Sequence, residues 1–182
     1  MPRLDKETRE RIRQIDYKDL QEIVVKMAAK EKSVYDFIRI NYLDKEGGEK
    51  ELFAATKADL NYLFAKGYRG FSEELQLANM LSACIKRINE FTKISKNKEL
   101  EADLLLYVLE VPFGYPTKML GTCFTQYDVK IGNILKRLIN VVTKQLHEDY
   151  KIEYESKINE YLRILHTTSD HIDSIYSMPK EI

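Results

Sequence analysis

Between Ile131 and Val142 the chain sets Ile131, Ile134, Leu135, Leu138, Ile139, Val141 and Val142 at intervals of three and four residues. Wound at 3.6 residues per turn, these side chains fill an arc of roughly 160°, wider than the roughly 100° stripe of a helix lying on a surface. Such a helix needs neighbours on several sides, so the segment predicts a central helix in a helical assembly. The same period recurs along nearly the whole chain, and the alternation of a half-buried strand is never sustained. The expected fold is all-α: seven or eight helices in successive antiparallel hairpins, forming a compact multi-helical bundle or a short HEAT-like superhelix.

The boundaries come from capping chemistry. A peripheral helix within residues 1–15 carries Leu4, Thr8, Ile12 and Ile15 on a narrow stripe. Asp16 is placed to cap a second helix whose inner side is Leu20, Ile23, Val24, Met27 and Ala28. Ser33 and Asp36 have the spacing of a capping box, and Gly47-Gly48 reads as the end of the helix that follows. Gly67 suits a left-handed cap after the next helix. Ser72 with Glu73 and Glu74 opens a helix running to about Thr92, which carries apolar residues on more than one face. Asn97 caps another, stopped by Pro112. Thr125 and Asp128 form a second capping-box pattern at the head of the long stretch 126–166, and a short helix and tail close the chain at 168–182.

Lys50-Glu51-Leu52 and Lys98-Glu99-Leu100 recur at a separation close to the roughly 40 to 47 residues of HEAT-type helical pairs, which keeps the superhelix open beside the bundle. The 182 residues fit a single domain, with 44% apolar and 32% charged residues supporting a packed core. Lys plus Arg and Asp plus Glu both number 29, so any attraction to phosphate or anionic lipid must come from a local patch. No window approaches the roughly 20 apolar residues of a membrane span, and the N-terminus lacks a secretory pattern, so a cytoplasmic protein is expected. Two cysteines are too few for a disulfide framework; Cys84 falls inside an apolar helical pattern and should be buried.

Lys18-Asp19-Leu20-Gln21-Glu22-Ile23-Val24, Val34-Tyr35-Asp36-Phe37, Ile88-Asn89-Glu90-Phe91 and Ala102-Asp103-Leu104-Leu105-Leu106-Tyr107 together carry a resemblance. Over most of residues 16 to 165 the chain resembles a family of small all-helical bacterial proteins known only as a domain of unknown function. The resemblance implies an all-helical bacterial protein and supplies no ligand or catalytic residue.

No short motif with a catalytic mechanism is present: no phosphate-cradling Gly-rich loop, no nucleophile elbow, no His-Glu-x-x-His and no Cys-x-x-Cys. No catalytic residue, cofactor or metal site is expected. His166 and Asp170 would share a helix face, whereas His166 and His171 would diverge unless the helix breaks between them. Two leads remain. Tyr68 and Arg69 in one turn, and Phe113 and Tyr115 between Pro112 and Pro116, are the residue types that anchor protein interfaces, though loop aromatics also plug helix ends. Lys130, Arg137, Lys144 and Lys151 repeat every seven residues and, on an unbroken helix, would form a phosphate-tracking row, partly neutralised by Glu148 and Glu155. The favoured reading is a non-catalytic interaction or adaptor module that binds another protein or itself. The alternative is a nucleic-acid-associated regulator using the basic row, and an acid-base or metal enzyme stands third.

Overall fold

A computed structural model describes residues 4–123 and 125–182. Residues 1–3 of the expected N-terminal helix lie outside the described residues. The helices are α1 (Lys6–Arg13), α2 (Tyr17–Lys30), α3 (Lys32–Ile38), α4 (Lys45–Ala65), α5 (Glu73–Ile94), α6 (Lys98–Gly114), α7 (Gln126–Gln145), α8 (Glu148–Thr168) and α9 (Asp173–Tyr176). The chain is all-α, with no strand among the described residues. None of its described helices is long and apolar enough to cross a membrane. Where the sequence reads as a single domain, the contacts group into two compact units, one ending at Glu49 and one spanning Lys50–Ile182, with the boundary inside α4.

In the first unit, helices form without a buried face. Asp16 caps α2 by accepting the Lys18 N–H at 3.1 Å, and Glu22 pairs with Lys26 one turn on at 3.0 Å. The stripe expected to be buried is not: Ile23, Val24 and Met27 are at least 41% exposed, and no residue of α1, α2 or α3 is fully buried. Periodicity states which side could be covered, and within this unit nothing among the described residues covers it. The Ser33–Asp36 capping box also fails, because α3 already begins at Lys32 and the Asp36 carboxylate takes the Lys32 ammonium at 2.6 Å instead. After α3 comes a single wide turn, Arg39–Leu43, closed by the Asp44 N–H on the Arg39 carbonyl at 2.7 Å. Gly47-Gly48 does not end a helix. Both lie in the first turn of α4, where Asp44 accepts the Gly47 N–H at 3.0 Å and a Cβ on Gly48 would stand 2.9 Å from Ile40.

The second unit holds the core: Leu60, Leu81, Ile88, Phe91, Leu104, Leu105, Ile131, Leu135, Leu138 and Ile158 are all fully buried. Each such side chain contributes about 1.5 to 3 kcal/mol on leaving water. Caps fix the entries as the sequence indicates. Ser72 Oγ accepts the Leu75 N–H at 3.2 Å, and Asn97 Oδ1 accepts those of Glu99 and Leu100 at 3.1 and 3.3 Å. Exits differ from expectation. Gly67 does not have the left-handed conformation, which among the described glycines belongs to Gly121 alone. Pro112 does not stop α6, which runs on to Gly114; near the end of a helix a proline forfeits only its own bond to the preceding turn.

Side-chain hydrogen bonds join helices two apart in sequence. Tyr107 hydrogen-bonds Asn61 across α6 and α4, Arg137 meets Asn89 across α7 and α5, and Tyr154 meets Asp103 across α8 and α6, at sequence separations of 46, 48 and 51. The described helices are consistent with a compact all-α bundle, in which α7 packs directly against α5 and α9. The Lys-Glu-Leu recurrence at 50 and 98 does not mark equivalent places, since Lys98 begins α6 and Lys50 lies more than a turn inside α4. The helix inferred to be central is α7, which touches α5, α6, α8 and α9.

Candidate interaction surface

The two aromatic turns divide between plugging and exposure. Tyr68 folds back, its hydroxyl donating to the Leu63 carbonyl at 3.1 Å and so satisfying the end of α4. Phe113 stacks flat on Tyr161, with ring centroids 3.9 Å apart and planes 4° apart, locking α6 to α8. Arg69 and Tyr115 remain exposed, Tyr115 at 39%. Phe71, 99% exposed, presents more apolar surface than any of the four, and the aromatic turn containing it was its signal.

The basic residues do not form one row. The chain breaks at Leu146 and His147, so the stretch 126–166 is two helices and Lys151 belongs to α8, near Glu148 at 3.7 Å. Arg137 is held internally: its Nε and Nη2 donate to Glu101 Oε1 at 3.0 and 2.7 Å, and its Nη1 donates to Asn89 Oδ1 at 2.6 Å. Lys98 donates to the other Glu101 oxygen at 2.7 Å. Glu101 is only 4% exposed. Burial alone would raise its carboxyl pKa, but the hydrogen bonds from Lys98 and Arg137 outweigh that and hold it below the ordinary value. Lys130 and Lys144 remain exposed on α7, with no ion pair among the described residues.

Beside Arg137 lies a cleft of about 280 Å³ between α5 and α7, lined by Ser82, Ile85, Lys130, Asn133, Ile134 and Arg137. The helical period places Lys86 and Lys93 of α5 on the same side as Ser82 and Ile85, both exposed. Acids of α5 share that side: Glu90 lies about 40° from Lys86 and about 60° from Lys93, and Glu74 in the first turn about 20° from Ile85, whereas Asp128 of α7 is buried. The sequence reading missed these α5 lysines; their seven-residue spacing, equal to that on α7, was the available signal.

Asp128 is not a capping-box partner of Thr125, whose side chain makes no cap bond. It is fully buried, and its Oδ1 accepts the Gly121 N–H at 2.8 Å and the Ser169 hydroxyl. Tertiary donors have replaced the local one. A larger cleft, about 690 Å³, runs along α8 beneath the C-terminal tail and includes Asn159, Arg163, His166, Lys180 and Glu181. His166 is already occupied, with Nδ1 at 3.0 Å from Asp170 and Nε2 at 3.2 Å from the Pro179 carbonyl. The helix does end between His166 and His171, and His147 stands at the start of α8.

Of the cysteines, Cys84 is buried and burial pushes its thiol up to about 12, whereas Cys123 is exposed. A thiolate-selective disulfide reagent at neutral pH is therefore expected to label one cysteine per folded chain and both after urea unfolding. Mass spectrometry identifying Cys84 as the native adduct would contradict the packing of α5.

No protein-family model matches the chain, and comparison with curated proteins and with solved structures finds no match either. Function has to be argued from the geometry of the chain itself.

Proposed function

We propose that the chain is a non-catalytic interaction module, a helical bundle that presents the outer face of α5 and α7 to a partner protein or to a second copy of itself. The observation that carries this reading is the unequal use of polar groups. Side chains suited to chemistry are bound into internal contacts: Asp128 with Gly121 and Ser169, Glu101 with Lys98 and Arg137, and His166 with Asp170 and the tail. On α7, by contrast, Lys130 and Lys144 face outward with no ion pair among the described residues, Lys130 lining a cleft that also holds Ile85 and Ile134. Interfaces pair such apolar centres with a polar rim.

Site-specific photo-crosslinking in cells tests the reading. A benzophenone side chain at Asn133, in the cleft, is expected to yield discrete protein adducts, and one at Ile152, exposed on α8, is not. Adducts that disappear on nuclease treatment would favour the nucleic-acid regulator instead, for which the exposed lysines of α7 are the supporting observation. Equal yields at both positions, or none at Asn133, would end the proposal.

A further inference from the structure

We infer that the cleft between α5 and α7 receives an acidic segment of a partner protein anchored by an aliphatic side chain, an assignment that rests on the interaction-module reading above. Two features select this occupant together. The first is charge. Along the shared outer face the cations are Lys86 and Lys93 on α5 and Lys130, Arg137 and Lys144 on α7, with Glu90 between the two α5 lysines, so the excess positive charge lies on α7. Lys130 and Lys144 stand roughly 21 Å apart along the axis, far enough to engage carboxylates at both ends of a short segment. Glu101 does not cancel the field, because it is shared between Arg137 and Lys98, leaving that trio with one net positive charge.

The second feature is the floor. Ile85 and Ile134 line the cleft between the cations, and at about 280 Å³ it has room for an aliphatic side chain. A phosphate backbone gains nothing from two isoleucines, since its contacts are ionic and its bases need aromatic platforms or groove edges. A segment with leucine or isoleucine flanked by glutamate or aspartate uses both features, placing the apolar group at the centre and the charges at the rim. Arg137 has its guanidinium fixed by three hydrogen bonds to Glu101 and Asn89, so the cleft wall needs no reordering on binding.

Subtractive selection from a random peptide display library provides the test, with the whole chain as bait and the K130E/K144E double variant as counter-bait. Both lysines are exposed and without ion pairs among the described residues, so the variant should fold as the parent does, which its circular dichroism melt will check. The expected result is enrichment of peptides carrying at least one Leu, Ile or Val between acidic residues. Their Kd by fluorescence polarisation should rise about tenfold or more in K130E/K144E, and also in an Ile85→Ser variant. Peptides that are acidic but indifferent to Ile85→Ser would reduce the face to an unspecific cation surface and overturn the inference. So would peptides of other composition, none at all, or a labelled DNA duplex that binds more tightly than any selected peptide. If Asn133 crosslinks to protein in cells while the selection yields no acidic consensus, the partner's chemistry is wrong and the interaction-module reading survives. Failure of both removes both.

Discussion

Replacing Gly121 with alanine is expected to lower the free energy of unfolding by about 3 kcal/mol or more, among the largest effects of any single methyl group in this chain. Two costs combine. Gly121 has φ +68°, a conformation that L side chains rarely adopt, and an added Cβ would stand 2.1 Å from the Thr168 carbonyl oxygen. That oxygen belongs to the last turn of α8 and is backbone, so it cannot swing aside as a side chain would. Any retreat of Gly121 also stretches its 2.8 Å N–H bond to Asp128, and with it the link from Asp128 to the Ser169 hydroxyl. The substitution therefore strains the approach to α7, the first turn of α7 and the end of α8 together. Urea unfolding followed by circular dichroism measures the change. A loss under about 1 kcal/mol would mean that the three segments do not meet as described.

Asp128 also explains what a sequence can and cannot disclose. Thr125 and Asp128 have the letters and spacing of a capping box, and so do Ser33 and Asp36, yet neither closes one. Asp16, Ser72 and Asn97 do cap their helices. Asp36 is taken by Lys32, one turn back, because α3 begins a residue before Ser33. Where a donor arrives from far along the chain, as Ser169 reaches Asp128, the local rule gives way.

The same distinction separates the two apolar stripes. The wide arc on Ile131 to Val142 identified a central helix because coverage on several sides is implicit in its width. The inner side of α2, with Ile23, Val24 and Met27, only marks a side available for cover, and within the first unit none is supplied among the described residues. The basic row failed for two further reasons. Its break at Leu146 and His147 lacks glycine or proline, although Glu148 and Asp149 directly after it are the acidic first turn of a new helix. Glu148 does stand near Lys151, but Arg137 is neutralised by Glu101, 36 residues away. What replaced the row, a face shared by α5 and α7, could be read only once the offset of about 48 residues had set those helices side by side.

Glu101 supplies the second large effect, and its sign depends on pH. Exchanging it for glutamine keeps the shape but removes the charge that holds Arg137 and Lys98, and the expected cost near neutral pH is about 2 to 3 kcal/mol. The carboxyl's folded pKa lies below its ordinary 4.5, so the unfolded chain takes up the proton first as the medium acidifies. Its contribution is therefore complete above that ordinary value and drains away as pH falls through the folded pKa. The parent and Glu101→Gln should differ in urea midpoint at about pH 7 and draw together as the pH falls below 4.5 through the folded pKa, with the convergence carried by the parent's loss rather than the variant's gain. Comparing the two proteins removes the acid sensitivity of the other carboxylates, which is common to both. A gap that stays constant across that range would show that Glu101 acts through packing alone, and that Arg137 is oriented toward the α5–α7 cleft by something other than this ion pair.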